Sequence, residues 1–271
     1  MSGRLVVCAT PIGNLADVSL RLLETLRTAD VVACEDTRHT LGLLKRHAIT
    51  VPLISYHEHN EAQRTPELVD RIAGGAIVAL VTDAGMPLVS DPGHVLVGAV
   101  VAAGHRVEVL PGPSAVITAL VASALPADAW TFVGFLPRRA SELRARLAGA
   151  RETLVAFESP HRTAASLAAL AALDPARPVA VCRELTKLHE EVVRGSAAEL
   201  ATRYARAEPR GEVVLVIGPP PPADADLDAA LDALQALVAA GAKARPAAQV
   251  VAELTGAPAN ALYEGLLARK A

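Results

Sequence analysis

From residue 4 to residue 123, short apolar runs alternate with helically spaced segments, and several runs end directly in loops of Gly, Pro and small polar residues. Leu5 to Ala9 reads as a strand and Val18 to Arg27 as a helix. Val31 to Cys34 is a strand, Thr40 to His47 a helix, and Ile77 to Val81 a buried strand. After a Gly/Pro/Asp-rich loop, Val95 to Ala103 reads as helical, Arg106 to Leu110 as a strand and Ser114 to Ser123 as a helix. Alternation of this kind is satisfied by a mainly parallel sheet covered by helices.

A turn-rich stretch from Ala124 to Asp128 interrupts the pattern. Beyond it, strand signals at Thr131 to Gly134, Thr153 to Phe157, Val179 to Cys182, Glu190 to Arg194 and Val213 to Ile217 accompany helical signals at Ser141 to Ala150, Thr163 to Leu173 and Ala197 to Ala205. The strands near Val193 and Val214 suggest some antiparallel pairing, so this half reads as a second α/β domain. Pro219 to Pro222 form a stiff extended linker. The rest carries helical patterning alone, with helices expected near 226–240, 246–255 and 259–269 and prolines Pro246 and Pro258 in tolerated first-turn positions. The expected division is residues 1–123, 124–218 and 219–271.

The 271 residues suffice for such cores. Aromatics are 3% of the chain, so the cores should be aliphatic. A net charge of -3 excludes a global basic field, and any nucleic acid must be met by a local patch. Cys8, Cys34 and Cys182 are scattered without a CxxC, which suggests neither a zinc site nor a disulfide framework. The first apolar run is too short for a signal segment and no stretch approaches a membrane span, so a reducing cytoplasm is the expected location.

Ligands bind where strands of an α/β sheet end in loops. Thr10-Pro11-Ile12-Gly13-Asn14 permits a tight turn close to a ligand, or is an ordinary βα turn. In Thr82 to Gly93, Asp83 stands where a carboxylate can meet ribose hydroxyls or a cation, and Gly85 lets a ligand reach backbone. Asp91 before Pro92 reads as a helix N-cap with Pro at the first helical position. Neither a GxGxxG fingerprint nor a GxxxxGK[ST] phosphate loop is present. Ser114, after Leu110-Pro111-Gly112-Pro113, caps a helix whose N-terminal amides can also face a ligand.

Polar clusters follow other strands. Glu35-Asp36-Thr37-Arg38-His39-Thr40 can orient a hydroxyl or simply cap a helix through Asp36 or Thr37. Phe157 to Arg162 and Arg183 to Lys187 combine carboxylates, arginines, a histidine and a lysine at strand ends. His57-Glu58-His59-Asn60-Glu61 matches no zinc-ligand spacing. Between Pro137 and Arg151, five arginines face one acid, Glu142, which suits phosphate contact.

Taken in order, VCATPIGNLADVSLRLLETLRTADVVACEDTRHT, HEHNE, TDAGMPLVSDPG, LPGPSAVITAL, GFLPRR, FESPHR, RELTK and RGEVVLVI resemble the small-subunit rRNA methyltransferase I family, which is similar in fold to tetrapyrrole methylases and diphthine synthase. The resemblance spans about residues 4–217. It implies two α/β domains of the tetrapyrrole methylase type (class III methyltransferases) plus the helical tail, a homodimer, no metal, and methyl transfer from S-adenosylmethionine to the ribose 2'-OH of a decoding-site cytidine in 16S rRNA. Donor contacts would come from Pro11, Ile12, Gly13, Asp83, Ala84, Gly85, Met86, Pro87, Ser114, Ala115, Phe157, Glu158, Ser159, Pro160, Cys182 and Arg183. Met86 and Phe157 depart from the commoner Thr and Tyr. Glu35, Asp36 and Glu184 are candidates for base or hydroxyl acceptor. Arg38 and Lys187 are candidates for holding phosphates, and Arg138, Arg139, Arg144 and Arg162 for RNA contact. The rivals are methylation of a small tetrapyrrole-like molecule and a non-catalytic RNA-binding protein of the same fold.

Overall fold

The structure is a computed structural model and describes residues 3–220 and 227–269. Its first α/β region runs β1 (Arg4–Cys8), α1 (Leu20–Thr28), β2 (Val31–Cys34), α2 (Thr37–Arg46), β3 (Leu53–Ser55), α3 (Glu61–Ala73), β4 (Ile77–Val81), α4 (His94–Ala102), β5 (Arg106–Leu110) and α5 (Ala115–Ser123). The five strands form one parallel sheet in the order β3-β2-β4-β1-β5, with Leu5 opposite both Val78 and Val107. Alternate residues feed two cores. Val6, Cys8, Val32 and Ala79 pack with Leu22, Leu26, Leu43 and Leu44 on one face. Leu5, Val7, Val78 and Leu80 pack with Leu68, Ile72, Leu96 and Val100 on the other. Burial on both faces is why these strands read as unbroken apolar runs.

β3 and α3 are additions to the sequence reading. β3 is three residues long, and α3 opens on a polar turn, contains Pro66 and buries only Thr65, Leu68 and Ile72. Of the His57–Glu61 segment, His57 to Asn60 lie in the turn between them and Glu61 opens α3. The Asn60 side chain donates to the Ser55 carbonyl at 3.1 Å and accepts from the His57 amide at 2.9 Å.

The second region contains β6 (Trp130–Phe135), α6 (Ala140–Ala148), β7 (Thr153–Glu158), α7 (Pro160–Leu173), β8 (Pro178–Arg183), β9 (Glu191–Ser196), α8 (Ala197–Arg206) and β10 (Val213–Ile217). The strand order is β6-β7-β10-β8-β9. Only β6 and β7 run parallel; β10 is antiparallel to β7 and β8, and β8 to β9. Antiparallel pairing is therefore present, but β8 separates the strands around Val193 and Val214. Leu143, Leu147, Leu167, Leu170, Leu200 and Tyr204 cover one face. Val116, Ala119 and Leu120 of α5 reach across to Val155, Ala180, Cys182, Val214 and Val216 on the other. The last helix of the first region is thus a wall of the second, which fixes the cleft between the two sheets.

The described residues beyond Pro220, 227–269, form a separate compact unit. Its helices α9 (Leu227–Ala239), α10 (Ala244–Thr255) and α11 (Ala259–Ala268) enclose Leu231, Leu234, Ala248, Val251, Leu262 and Leu266. Pro246 lies in the first turn of α10 and Pro258 is the N-cap of α11. Pro221, Pro222 and the start expected for the first tail helix at 226 lie outside the described residues. Among the described residues, no helix is long and apolar enough to cross a membrane.

Candidate active site

All five loops after the parallel strands emerge at one edge, as the sheet topology requires. Two of them are pinned together. The Thr10 amide donates to the Gly85 carbonyl at 2.9 Å, and the Gly85 amide donates to the Thr10 carbonyl at 3.1 Å. Gly85 holds φ at +80°, a conformation that costs most residues with a Cβ about 1–2 kcal/mol. The Asp36 amide donates to Asp83 at 3.1 Å, tying the loop after β2 to the loop after β4. Ser114 caps α5 through its hydroxyl.

These loops face the second sheet across a cavity of about 350 Å³. Ile12, Ala84, Gly85, Met86, Ser114 and Ala115 line it from the first region. Phe157, Glu158, Ser159 and Pro160 line it from the second. Val89, Asp91, Val116, Phe135 and Gly211 to Val214 also line it, and the sequence reading assigned none of them to donor binding. The Phe157 ring meets Phe132 and Phe135 edge-on, at 5.1 and 5.5 Å between centroids.

Gly211 to Val214 enter because β10 is antiparallel. Val213 pairs with Glu158 and with Arg183, so the start of β10 shares an edge with the ends of β7 and β8. Gly211 and Glu212 therefore precede a strand, where the other strand-end residues of the cavity follow one.

Two polar networks brace the walls. The Glu158 side chain is fully buried; it accepts from the Ser159 amide at 2.8 Å and the Ser166 hydroxyl at 2.6 Å. Arg162 approaches the same carboxylate at 3.4 Å and donates to the Leu136 and Pro137 carbonyls at 3.1 and 2.6 Å. Its guanidinium therefore anchors the loop leading to Arg138 and Arg139, which corrects the expectation that it reaches out to RNA. On the same sheet, on the other side of β10, Glu184 accepts from Lys187 at 2.9 Å and from the Glu212 amide at 3.0 Å. That amide bond, then Lys187, hold the Glu184 carboxyl below its ordinary range. A Cβ on Gly13 would lie 2.4 Å from Lys187 Cγ, so the first loop closes directly on this network.

Several other expected positions lie off the cavity. Pro11 and Asp83 border a hollow of about 30 Å³ behind it. Pro87 is buried. Cys182 is fully buried beneath α5, its thiol donating to the Ala119 carbonyl at 3.8 Å and pushed by burial up to about 11. The Arg183 side chain turns to Glu191 at 3.2 Å and the Arg210 carbonyl at 3.3 Å. Cys182 and Arg183 thus support the pocket from behind instead of lining it. Asp36 caps α2, with Arg38 on both carboxylate oxygens at 3.1 and 2.7 Å, and these bonds hold its carboxyl well below the usual range. Arg38 is correspondingly held by Asp36. Glu35 faces a second hollow of about 350 Å³, and burial followed by the Asp83 charge raises its carboxyl. Asp91 does not cap α4. Gly93 does, at φ +129°, and Asp91 lines the main cavity.

Residues 4–201 match the tetrapyrrole (corrin/porphyrin) methylase family. A protein of Mesorhizobium japonicum called ribosomal RNA small subunit methyltransferase I is 48% identical over 271 residues, covering 98% of this chain and 92% of that one. A Mycobacterium tuberculosis protein of the same name is 46% identical, covering 98% and 95%. The chain belongs to the ribosomal RNA small subunit methyltransferase I family. Within the wider methylase fold, uroporphyrin-III C-methyltransferase from Thermus thermophilus, solved with S-adenosylhomocysteine, aligns with a TM-score of 0.56 at 22% identity over 80% of this chain and 97% of that one. Diphthine synthase aligns with a TM-score of 0.58 at 16% identity, covering 79% and 89%. At these identities the likeness carries the fold.

Proposed function

We propose that this chain transfers a methyl group from S-adenosylmethionine to the ribose 2'-OH of a decoding-site cytidine in 16S rRNA. Family membership together with the convergent cavity carries the reading. The cavity suits the donor: its apolar faces and the Phe135 and Phe157 rings match an adenine and methylenes, Gly85 exposes backbone, and Ser114 and Glu212 supply polar edges. When bound, the donor supplies an electrophilic sulfonium methyl, and the protein supplies orientation and the removal of a proton. Of the acids nominated from sequence, Asp36 and Glu184 are held ionised by cationic and amide partners, which weakens them as bases. Glu35, with a raised carboxyl, is better matched to proton transfer.

Arg138, Arg139 and Arg144 are exposed at and along α6, and only Arg139 has an acidic partner among them, Glu142 at 3.0 Å. We assign them to rRNA phosphates. Replacing all three with alanine is expected to weaken binding to small ribosomal subunits and to flatten its log–log salt slope by about 0.7–0.9 per lost contact, with donor affinity unchanged. An unaltered slope would remove them from the interface. Family resemblance extends the proposal to a cytoplasmic homodimer.

Incubation with methyl-labelled donor tests the substrate. Label is expected in 16S rRNA or the small subunit and not in a tetrapyrrole. Label in the tetrapyrrole alone would overturn the substrate assignment. Donor binding without transfer to any ribosomal substrate would favour a non-catalytic RNA-binding protein.

A further inference from the structure

We propose that Asp91 is the base that accepts the proton of the hydroxyl being methylated, an inference that rests on the methyl-transfer reading above. Asp91 lines the main cavity beside Gly85, Met86 and Val89. It also lines the adjoining hollow with Glu35, Ser90 and His94. Among the described residues it is the one member common to both linings. A donor filling the first cavity and an acceptor entering by the second would meet at its carboxyl.

The backbone around Asp91 is held in an uncommon conformation. Leu88 and Ser90 adopt φ of +72° and +66°, and Gly93 adopts +129°. At Gly93 a Cβ would lie 2.8 Å from Leu80 and 2.9 Å from Leu88, so no other residue turns the chain here without displacement. Left-handed non-glycine residues persist where the surroundings over-determine them, and they cluster at functional sites. Here they carry Asp91 inward, leaving Gly93 to begin α4.

The charged surroundings suit the task. Burial, then Glu35 at the end of β2 and Asp83 in the same loop, push the Asp91 carboxyl up to about 6. Glu58 and Glu61 from the turn before α3 and its first residue, and His94 from α4, face the same hollow. A carboxylate that titrates just below neutrality is ionised at working pH yet basic enough to take a proton. Neither Asp36 nor Glu184 has this property, and Glu35 lines only the adjoining hollow. The acids there disfavour phosphate and suit a neutral ribose or a nucleobase amino edge, whose N–H groups carboxylates accept.

In the step proposed, the hydroxyl proton passes to the Asp91 carboxylate as the oxygen bonds to the methyl carbon. The sulfur–methyl bond breaks with its electron pair retained on sulfur, leaving a neutral thioether. The Asp91 acid then returns its proton to solvent through the adjoining hollow.

The test compares wild type, Asp91→Asn and Asp91→Glu in single-turnover methylation of small subunits across the pH range around 6. Asn is expected to lower the rate by about 10²–10⁴-fold and to abolish the acid limb near pH 6, with Glu partly restoring both. Affinity for S-adenosylhomocysteine, read by calorimetry, should stay within about threefold, because complementarity to the ligand is kept. The raised carboxyl also fixes the sign of a stability readout. Wild type loses stability as pH rises through about 6, and Asn does not, so Asn should melt higher above that pH and the gap should close in acid. A purely structural Asp91 predicts the opposite. An Asn variant that keeps its rate within about fivefold, or that melts lower or fails to fold at neutral pH, overturns the assignment. If wild type itself transfers no methyl to ribosomal substrate, the functional reading fails, while the melting comparison still reports on Asp91.

Discussion

Glu158→Ala is expected to destabilise the protein by about 3–5 kcal/mol, the range for breaking a buried ion pair from one side. The carboxylate is fully buried, and its bonds from Ser159, Ser166 and Arg162 all lie in the wall of the main cavity. Removing it strands the Ser166 hydroxyl and leaves a largely buried guanidinium whose remaining partners are the Leu136 and Pro137 carbonyls. Glu158→Gln keeps the shape and one acceptor oxygen, and should cost about 1–3 kcal/mol. Urea unfolding checks both. A shift below about 1 kcal/mol for the alanine variant would mean that the network is not what holds the wall. The same variant should weaken small-subunit binding, because Arg162 fixes the loop that leads to Arg138 and Arg139.

Gly211→Ala should weaken donor binding and destabilise the fold together. Its φ of +82° imposes the left-handed penalty on alanine. Its new Cβ would also lie 2.3 Å from the Glu184 carboxyl carbon and 2.4 Å from Oε1. Glu184 cannot retreat freely, since Lys187 and the Glu212 amide hold it from other sides and its own φ is +51°. Strain and overpacking sum to about 2–5 kcal/mol. Because Gly211 and Glu212 line the cavity, affinity for S-adenosylhomocysteine should fall by about 10–100-fold, equivalent to about 1.4–2.7 kcal/mol. Adding Glu184→Ala relieves the clash, so the double variant should recover part of the loss. Unchanged affinity in Gly211→Ala would contradict the placement of the donor in this cavity.

Much of the fold was legible because the first sheet is parallel. Val31 to Cys34, Ile77 to Val81 and Arg106 to Leu110 match β2, β4 and β5 residue for residue, since strands bordered by Gly, Pro or Asp turns announce both ends. α3 escaped because its first turns are polar and Pro66 interrupts the pattern. The site was legible where a Gly/Pro loop follows a parallel strand, as at Ile12, Gly85 and Ser114. The family resemblance placed Cys182 and Arg183 at the pocket, whereas the buried face of β8 takes one and Glu191 the other. The loop rule missed Gly211 to Val214, where an antiparallel strand presents its beginning to the cleft. Asp91 was obscured by local chemistry: Asp-Pro is a strong capping signature, and only the backbone at Ser90 and Gly93 shows that the helix starts later.

The most direct test of the account is a nucleotide-resolution map of ribose methylation in 16S rRNA from cells with and without this gene. The account predicts loss of the 2'-O-methyl mark at one decoding-site cytidine, restored by the wild-type gene. An identical map in the two strains would contradict it.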